Sequence, residues 1–191
     1  MPLELEELTV KVAERMTKCF FGKYRATVKS IDDPLKIGRV SAIIPEVLGE
    51  KESTWALPAV PFAGKKHGLV LLPEVDDGVW IEFEAGDISR PIWTGCWWGT
   101  NDNVDEVSRT KNRALVTSIG HKLILNDNDD EIRLVHSKGA EIKMTGDDIT
   151  LSIGNTEIKL TKTDLTLKGG AGQIKLSAAG VDVNNGALKV I

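Results

Sequence analysis

Glu82, Glu84 and Asp87 set three carboxylates within one short stretch, Trp80-Ile-Glu-Phe-Glu-Ala-Gly-Asp87. Cleavage of a glycosidic bond needs two carboxylic acids flanking it, one to donate a proton and one to act as nucleophile or base. A hydrolase using Glu82 and Asp87 is therefore one reading of this chain. The local pattern opposes it, because alternation through Trp80, Ile81, Glu82, Phe83 and Glu84 sends both glutamates to one strand face, the solvated one. The run Asn126-Asp-Asn-Asp-Asp-Glu131 offers oxygen ligands of the kind calcium takes. It lacks the glycine and the terminal spacing of an EF-hand, and a hairpin turn is expected there.

Three further features carry less chemistry. His67 lies beside Lys65 and Lys66 with no Ser, Cys or acidic partner at a spacing that activates a nucleophile, so an exposed loop residue is expected. Gly169-Gly-Ala-Gly-Gln173 has the glycines of a calcium-binding β-roll repeat, but Gln173 stands where the aspartate ligand belongs and the pattern occurs once. A bend between strands fits it better. Two cysteines, Cys19 and Cys96, are too few for a disulfide framework and read as packing residues. No catalytic set, no metal site and no cofactor is expected.

The elements that would position these residues fall into two designs. Every aromatic residue lies between Phe20 and Trp98, and the last proline is Pro91, whereas glycines continue to Gly186. Residues 22–98 read as short strands broken by turn signals: Arg25 to Ile31, Gly38 to Ile44, Trp55 to Val60, Gly68 to Leu72, Gly78 to Glu84 and Pro91 to Cys96. The turn Asp76-Asp77-Gly78 suits a hairpin connection. Residues 99–119, polar and aperiodic over Thr100 to Thr110, read as a connector. Ahead of the barrel, residues 1–21 carry Leu3, Leu5, Leu8, Val12 and Met16 at helical spacing. That stripe packs either on its own barrel or on a partner subunit.

Residues 120–191 count in sixteens. Glu141-Ile-Lys-Met-Thr145 returns as Glu157-Ile-Lys-Leu-Thr161 and again as Gln173-Ile-Lys-Leu-Ser177. The apolar pairs between them (Ile142 and Met144, Ile149 and Leu151, Ile158 and Leu160, Leu165 and Leu167, Ile174 and Leu176, Val181 and Val183) make each sixteen two strands, each with one apolar face. Two or three buried aliphatic side chains contribute roughly 3 to 9 kcal/mol, while ordering eight residues costs roughly 8 to 16 kcal/mol. One rung cannot stand alone. Three chains around one axis would supply the missing wall, with those twelve residues as the core and backbone partners drawn from the other chains. The expected class is all-β, with an N-terminal helix, a barrel and an intertwined trimeric β-helix.

Composition removes other classes. A formal charge of −4 leaves no basis for an affinity built on phosphate contacts, so no nucleic-acid partner is expected. No apolar run reaches the roughly 18 residues of a membrane helix, and Met1-Pro-Leu-Glu-Leu-Glu-Glu-Leu8 is acidic where a signal peptide is basic. Synthesis in the cytoplasm is the expectation.

The segment Gly68 to Gly99 resembles the oligonucleotide/oligosaccharide-binding (OB) barrel of phage baseplate spikes and of VgrG, the type VI secretion spike. The likeness rests on Leu72-Pro73, Gly78, Val79, Glu82-Phe83, Gly86-Asp87, Arg90-Pro91 and Gly95, with Gly38-Arg39-Val40 earlier. Downstream, Arg109-Thr-Lys111, Gly120-His-Lys-Leu-Ile-Leu125 and the Asn126 to Glu131 turn resemble the start of that family's triple-stranded β-helix. The resemblance implies a non-enzymatic homotrimeric spike assembled into the baseplate of a phage tail or tail-like injection particle, driven through a target cell envelope by sheath contraction. It implies a baseplate hub protein above the barrel collar, for which Leu3, Leu5, Leu8 and Val12 are the contact residues. A PAAR-type tip protein would cover Leu188, Val190 and Ile191, since His67, His121 and His136 lie far from the C-terminal end and form no apical metal cluster. With about twenty residues between Gly99 and Gly120, no cell-wall hydrolase fits between barrel and helix. The other reading of an OB barrel is a module binding a glycan or single-stranded nucleic acid through exposed Trp55, Trp97 or Trp98.

Overall fold

The computed structural model describes residues 7–13, 19–108 and 111–190. The chain forms two units, Met1–Asp102 and Asn103–Ile191.

The first unit holds β1 (Tyr24–Ser30), β2 (Ser41–Ile43), β3 (Leu57–Pro58), β4 (Ala63–Gly64), β5 (His67–Gly68), β6 (Gly78–Phe83) and β7 (Pro91–Trp97). Five of them make one sheet in the order β2-β1-β6-β7-β3, antiparallel except for the parallel β3–β7 pair. Bridges Val40–Ala56 and Ile43–Glu52 join the β2 side to the chain leading into β3, so the sheet closes on itself as a barrel. The alternate inward residues fill it: Ala26 and Val28, Val40 and Ala42, Val79, Ile81 and Phe83, with Ile44, Ala56 and Trp93, all buried. Trp93 can lie inside because its Nε1 donates to the Gly38 carbonyl at 3.0 Å. Small residues allow close approach elsewhere. A Cβ on Gly78 would meet Trp97 Cε2 at 2.6 Å.

Two expectations are corrected in this unit. Only Gly68 of Gly68 to Leu72 is in a strand, within the two-residue β4–β5 hairpin, and Leu69 to Leu72 run as irregular, exposed chain. The Asp76-Asp77-Gly78 turn makes no hairpin with that segment. It is bonded to β1 instead, Val28 N–H to the Asp77 carbonyl at 2.9 Å and Asp76 N–H to the Val28 carbonyl at 3.0 Å, and β1 takes the place beside β6 that Leu69 to Leu72 would have needed. Ahead of the barrel residues 7–13 are helical. Leu8 and Val12 are 58% and 50% exposed, so these two positions of the stripe are not packed on the barrel. Leu3, Leu5 and Met16 lie outside the described residues.

The second unit is one sheet of ten antiparallel strands, each hydrogen-bonded to its sequence neighbours. They are β8 (Asn112–Val116), β9 (Lys122–Asn126), β10 (Glu131–Val135), β11 (Glu141–Thr145), β12 (Asp148–Ile153), β13 (Thr156–Thr161), β14 (Leu165–Gly169), β15 (Gly172–Ser177), β16 (Gly180–Val183) and β17 (Leu188–Val190). β8 lies inside the stretch read as connector. Its sequence, Asn-Arg-Ala-Leu-Val, hides the alternation behind Arg113 and Ala114. A second difference is larger: the rungs take their backbone partners from their own chain, not from other chains. Short turns make that pairing possible, and they repeat. Thr145 Oγ1 accepts from the Asp147 and Asp148 N–H groups at 3.2 and 3.1 Å, and Thr161 Oγ1 from Thr163 and Asp164 at 3.3 and 3.0 Å. Ser177 Oγ accepts from Ala179 at 3.3 Å. A hydroxyl that caps the turn is thus one physical reason for the sixteen-residue period.

Candidate functional site

The residues first suspected of chemistry are engaged locally. Glu82 pairs with Lys23 and Glu84 with Arg90, each at 2.5 Å. Asp87 builds a turn, its Oδ1 accepting from the Ser89 N–H at 2.9 Å and the Ser89 hydroxyl at 2.8 Å. The backbone bond from Ser89, then its hydroxyl, holds the Asp87 carboxyl below its usual range. That suits a permanent anion in a turn and not a proton donor.

Asn126 likewise organises its own turn, its Oδ1 accepting from Asn128 and Asp129 N–H groups at 3.0 and 3.2 Å while Nδ2 donates to Asp129 Oδ2 at 2.7 Å. Asp127 pairs with Arg113 and Glu131 with Lys143. Gly169 to Gly172 form the β14–β15 hairpin turn. His67 packs at a tilt against Phe62 with ring centroids 5.3 Å apart, and His121 does so against His136 at 4.4 Å. Among the described residues no three His, Cys, Asp or Glu side chains gather as metal ligands.

The tryptophans offer few open faces. Arg39 lies over Trp55 at 5.6 Å, and Arg25 sits over both Trp80 and Trp97 at 5.5 and 5.0 Å. Trp97 also donates its Nε1 to the Val79 carbonyl at 3.1 Å. A guanidinium thus lies over a face of each of these three rings. Trp98 is the exception, 60% exposed.

The feature without a local explanation is one face of the ten-stranded sheet. The register aligns Leu115, Leu123, Leu134, Ile142, Leu151, Ile158, Leu167, Ile174, Val183 and Leu188 in one column across all ten strands. A second column runs Leu125, Ile132, Met144, Ile149, Leu160, Leu165, Leu176, Val181 and Val190, beginning at Arg113. All twelve residues expected in the core share this face. The columns start earlier than those twelve, with Leu115 on β8, Leu123 and Leu125 on β9, and Ile132 and Leu134 on β10, and the last four alternate in the sequence as the twelve do. Leu188 and Val190, expected to meet a tip partner, continue the columns on β17; Ile191 lies outside the described residues.

Burial on this sheet is the reverse of an ordinary one-sided sheet. Along β11 and β12 every apolar side chain is exposed and every polar one is half-buried. Ile142 and Met144 are each 37% exposed, whereas the side chains of Glu131 and Glu141 are only 11% and 23% exposed.

The polar face covers itself with cross-strand pairs: Arg133 with Glu141 at 2.5 Å, Lys143 with Glu131 at 2.8 Å, Lys159 with Asp148 at 2.8 Å and Lys175 with Asp164 at 3.2 Å. The hydrogen bond it donates to Glu131 raises the Lys143 ammonium above its usual range, and the one donated to Asp148 does the same for Lys159. Charges that satisfy one another need no partner. An uninterrupted apolar face of this length far exceeds what a soluble monomer leaves open, and it calls for a protein surface against it.

A model of the type VI secretion system/phage-baseplate injector OB domain matches residues 24–98, and a model of the phage baseplate V C-terminal trimerisation domain matches residues 112–189. The first spans the barrel from β1 to just past β7, the second β8 to β17. No curated protein matches the chain.

Proposed function

Because this chain belongs to the phage baseplate V proteins, we propose that three copies pack the apolar faces of their ten-stranded sheets together into a stiff spike that pierces a target envelope. A structural role in a phage baseplate, with homotrimeric assembly, is the part that the two matched domains support directly. The observation that carries the finer reading is the pair of apolar columns left open on a sheet whose other face is already paired by its own charges. Three such faces turned inward bury every column residue and leave Lys143, Lys159 and Lys175 outside in water.

Mechanism follows from shape. Ten strands span nine spacings of about 4.8 Å, so each sheet extends about 43 Å along the stack of strands. A closed threefold prism of that length, with its backbone bonds running along the stack, resists bending, and contraction of a sheath would concentrate force on its narrow end. No reaction is required of the protein. A baseplate hub would hold the barrel collar through the Leu8 and Val12 stripe, and a PAAR-type tip protein would cover Leu188 and Val190 at the apex. Assembly places the protein in the baseplate of a phage tail or related injection particle.

Light scattering on the purified full-length chain tests the reading, together with gel electrophoresis of heated and unheated samples. A mass of three chains, and a band that collapses only on boiling, is expected. A folded monomer would remove the mechanism. A hydrolase reading would return only if the protein released soluble fragments from peptidoglycan and Glu82→Gln abolished that release.

A further inference from the structure

The chain contains a single Asn-Gly step, Asn185-Gly186, and it falls in the loop that joins β16 to β17. Such a step can modify itself. The backbone nitrogen of the following residue attacks the asparagine Cγ, ammonia leaves, and a succinimide ring forms that water then opens. Glycine permits the approach because it has no side chain to crowd that nitrogen. A Cβ built on Gly186 would meet no atom within 4 Å, so the loop leaves room around the reacting backbone.

The nearby asparagines are placed differently. Asn184 extends the β15–β16 pairing: its N–H donates to the Gln173 carbonyl at 2.8 Å, and its Oδ1 accepts from the Gln173 N–H at 2.8 Å. Asn185 is exposed, and among the described residues its side chain has no hydrogen-bond partner. Asn184 and Asn185 both take left-handed φ, 51° and 54°, as asparagine does in tight turns. Asn155, in the β12–β13 turn, is followed by Thr156, whose branched side chain flanks the nitrogen that would attack.

Turn chemistry accounts for the two asparagines. It does not require what stands against the next nitrogen. The Gly186 N–H donates to Asp182 Oδ1 at 2.7 Å. A base that takes the proton of a nucleophile must lie about 2.6 to 3.2 Å from it, and this carboxylate does. Asp182 is half-buried, with Lys175 opposite it on β15 and Lys189 on β17. Lys175 is already engaged by Asp164.

We propose that Asn185 is a site of self-catalysed deamidation, with Asp182 as the base. As the Gly186 nitrogen bonds to Asn185 Cγ, its proton passes to Asp182 Oδ1. The Cγ–Nδ2 bond then breaks, and Asp182 returns the proton to the departing amide nitrogen, which leaves as ammonia. Water opens the ring at either carbonyl, giving aspartate or isoaspartate. No other co-reactant is needed. Each conversion adds one negative charge to the loop, and isoaspartate also lengthens its backbone by one methylene, just ahead of Leu188 and Val190. The β16–β17 hairpin thus carries a slow, one-way change of state that does not depend on the number of chains in the assembly.

The test is incubation of the full-length protein at neutral and mildly alkaline pH, followed by peptide mass spectrometry that separates aspartate from isoaspartate. Digestion in heavy-oxygen water marks any conversion that arises during handling. Asn185 is expected to convert to a mixture of the two products while Asn155 and Asn184 persist. Asp182→Asn keeps an oxygen that accepts from the Gly186 N–H but cannot take its proton, so conversion at least about tenfold slower is expected. The variant's rate should rise with hydroxide, whereas the parent's changes little over the same range. Asn185→Gln, which would have to close a larger ring, serves as the blank. An Asn185 that persists in the folded protein, under conditions that convert a synthetic peptide of residues 180–190, would overturn the proposal. Conversion of Asp182→Asn as fast as the parent, or faster, would overturn the role given to Asp182.

Discussion

Lys159 reaches across the β12–β13 hairpin to hold Asp148, Nζ to Oδ2 at 2.8 Å. Sixteen residues later Lys175 holds Asp164 in the same way. The Asp148 carboxyl is held below its usual 3.8, first by the hydrogen bond from Lys159 and then by that residue's charge, against burial, which raises it. A carboxylate depressed in the folded state stabilises above its unfolded value and loses that contribution as pH falls through the folded one. Lys159 is raised above its usual 10.5 by the same bond, so its contribution is whole below 10.5 and disappears as pH climbs through the folded value. Asp148→Asn is expected to lower the melting temperature at pH 7. It should also flatten its decline in acid, so that variant and parent converge at strongly acid pH. Parallel acid melting curves with a constant offset would show that the pair does not titrate with folding.

Ile158 stands in the middle of the first apolar column, between Leu151 and Leu167. In Ile158→Asp a trimer would bring three carboxylates into an apolar interior without partners, a severe penalty. Loss of the trimer is expected, read as a fall in mass from three chains to one. An intact trimer of unchanged heat stability would show that this face does not point inward.

Asp33 joins three backbone amides and one guanidinium in the β1–β2 loop. Its carboxyl is held well below the carboxylate range, chiefly by Arg39, with the backbone bonds adding. Asp33→Ala leaves Arg39, whose side chain is 17% exposed, without its counter-ion. A melting temperature lower by several degrees is expected, with the mass still that of three chains. An unchanged melting curve would show that the loop is held by other means.

Gly78 faces Trp97 so closely that an added Cβ would lie 2.6 Å from the ring and 2.8 Å from the Trp97 carbonyl oxygen. Gly78→Ala must displace β7 or the indole, a change that typically costs about 1 to 3 kcal/mol. The urea midpoint should fall with oligomeric mass unchanged. A neutral substitution would mean that β6 and β7 separate more readily than their register suggests.

The second unit was readable because each strand carries only one apolar face. The alternation in Ile142 and Met144 or Ile174 and Leu176 needs no knowledge of the partner strand. The pairing itself was not readable. An apolar period says that a rung needs cover, but backbone partners from the same chain and from another chain leave the same trace in sequence. The cross-strand ion pairs were hidden for a related reason: Lys159 and Asp148 are eleven residues apart, and only the register brings them together.

In the barrel, Leu69 to Leu72 have the composition of a strand and none of its neighbours, so β-propensity favoured the wrong element there. A catalytic reading of Glu82 and Asp87 could be raised at all because spacing along the chain says nothing about the cation and hydroxyl that engage them.

The repeating turn and ion pair make length an adjustable quantity. Removing or duplicating one sixteen-residue unit, such as 148–163, exchanges two whole strands. The chain returns to the same side of the sheet, the two columns stay in line, and Lys-to-Asp pairing is restored across the join. Reach changes by two strand spacings, about 9.6 Å, with nothing else altered. Removing a single strand would instead send the chain back along the wrong edge. The sheet is in this sense graduated like a ruler, and a chain with one unit more or fewer changes length by a whole graduation while keeping one cross-section.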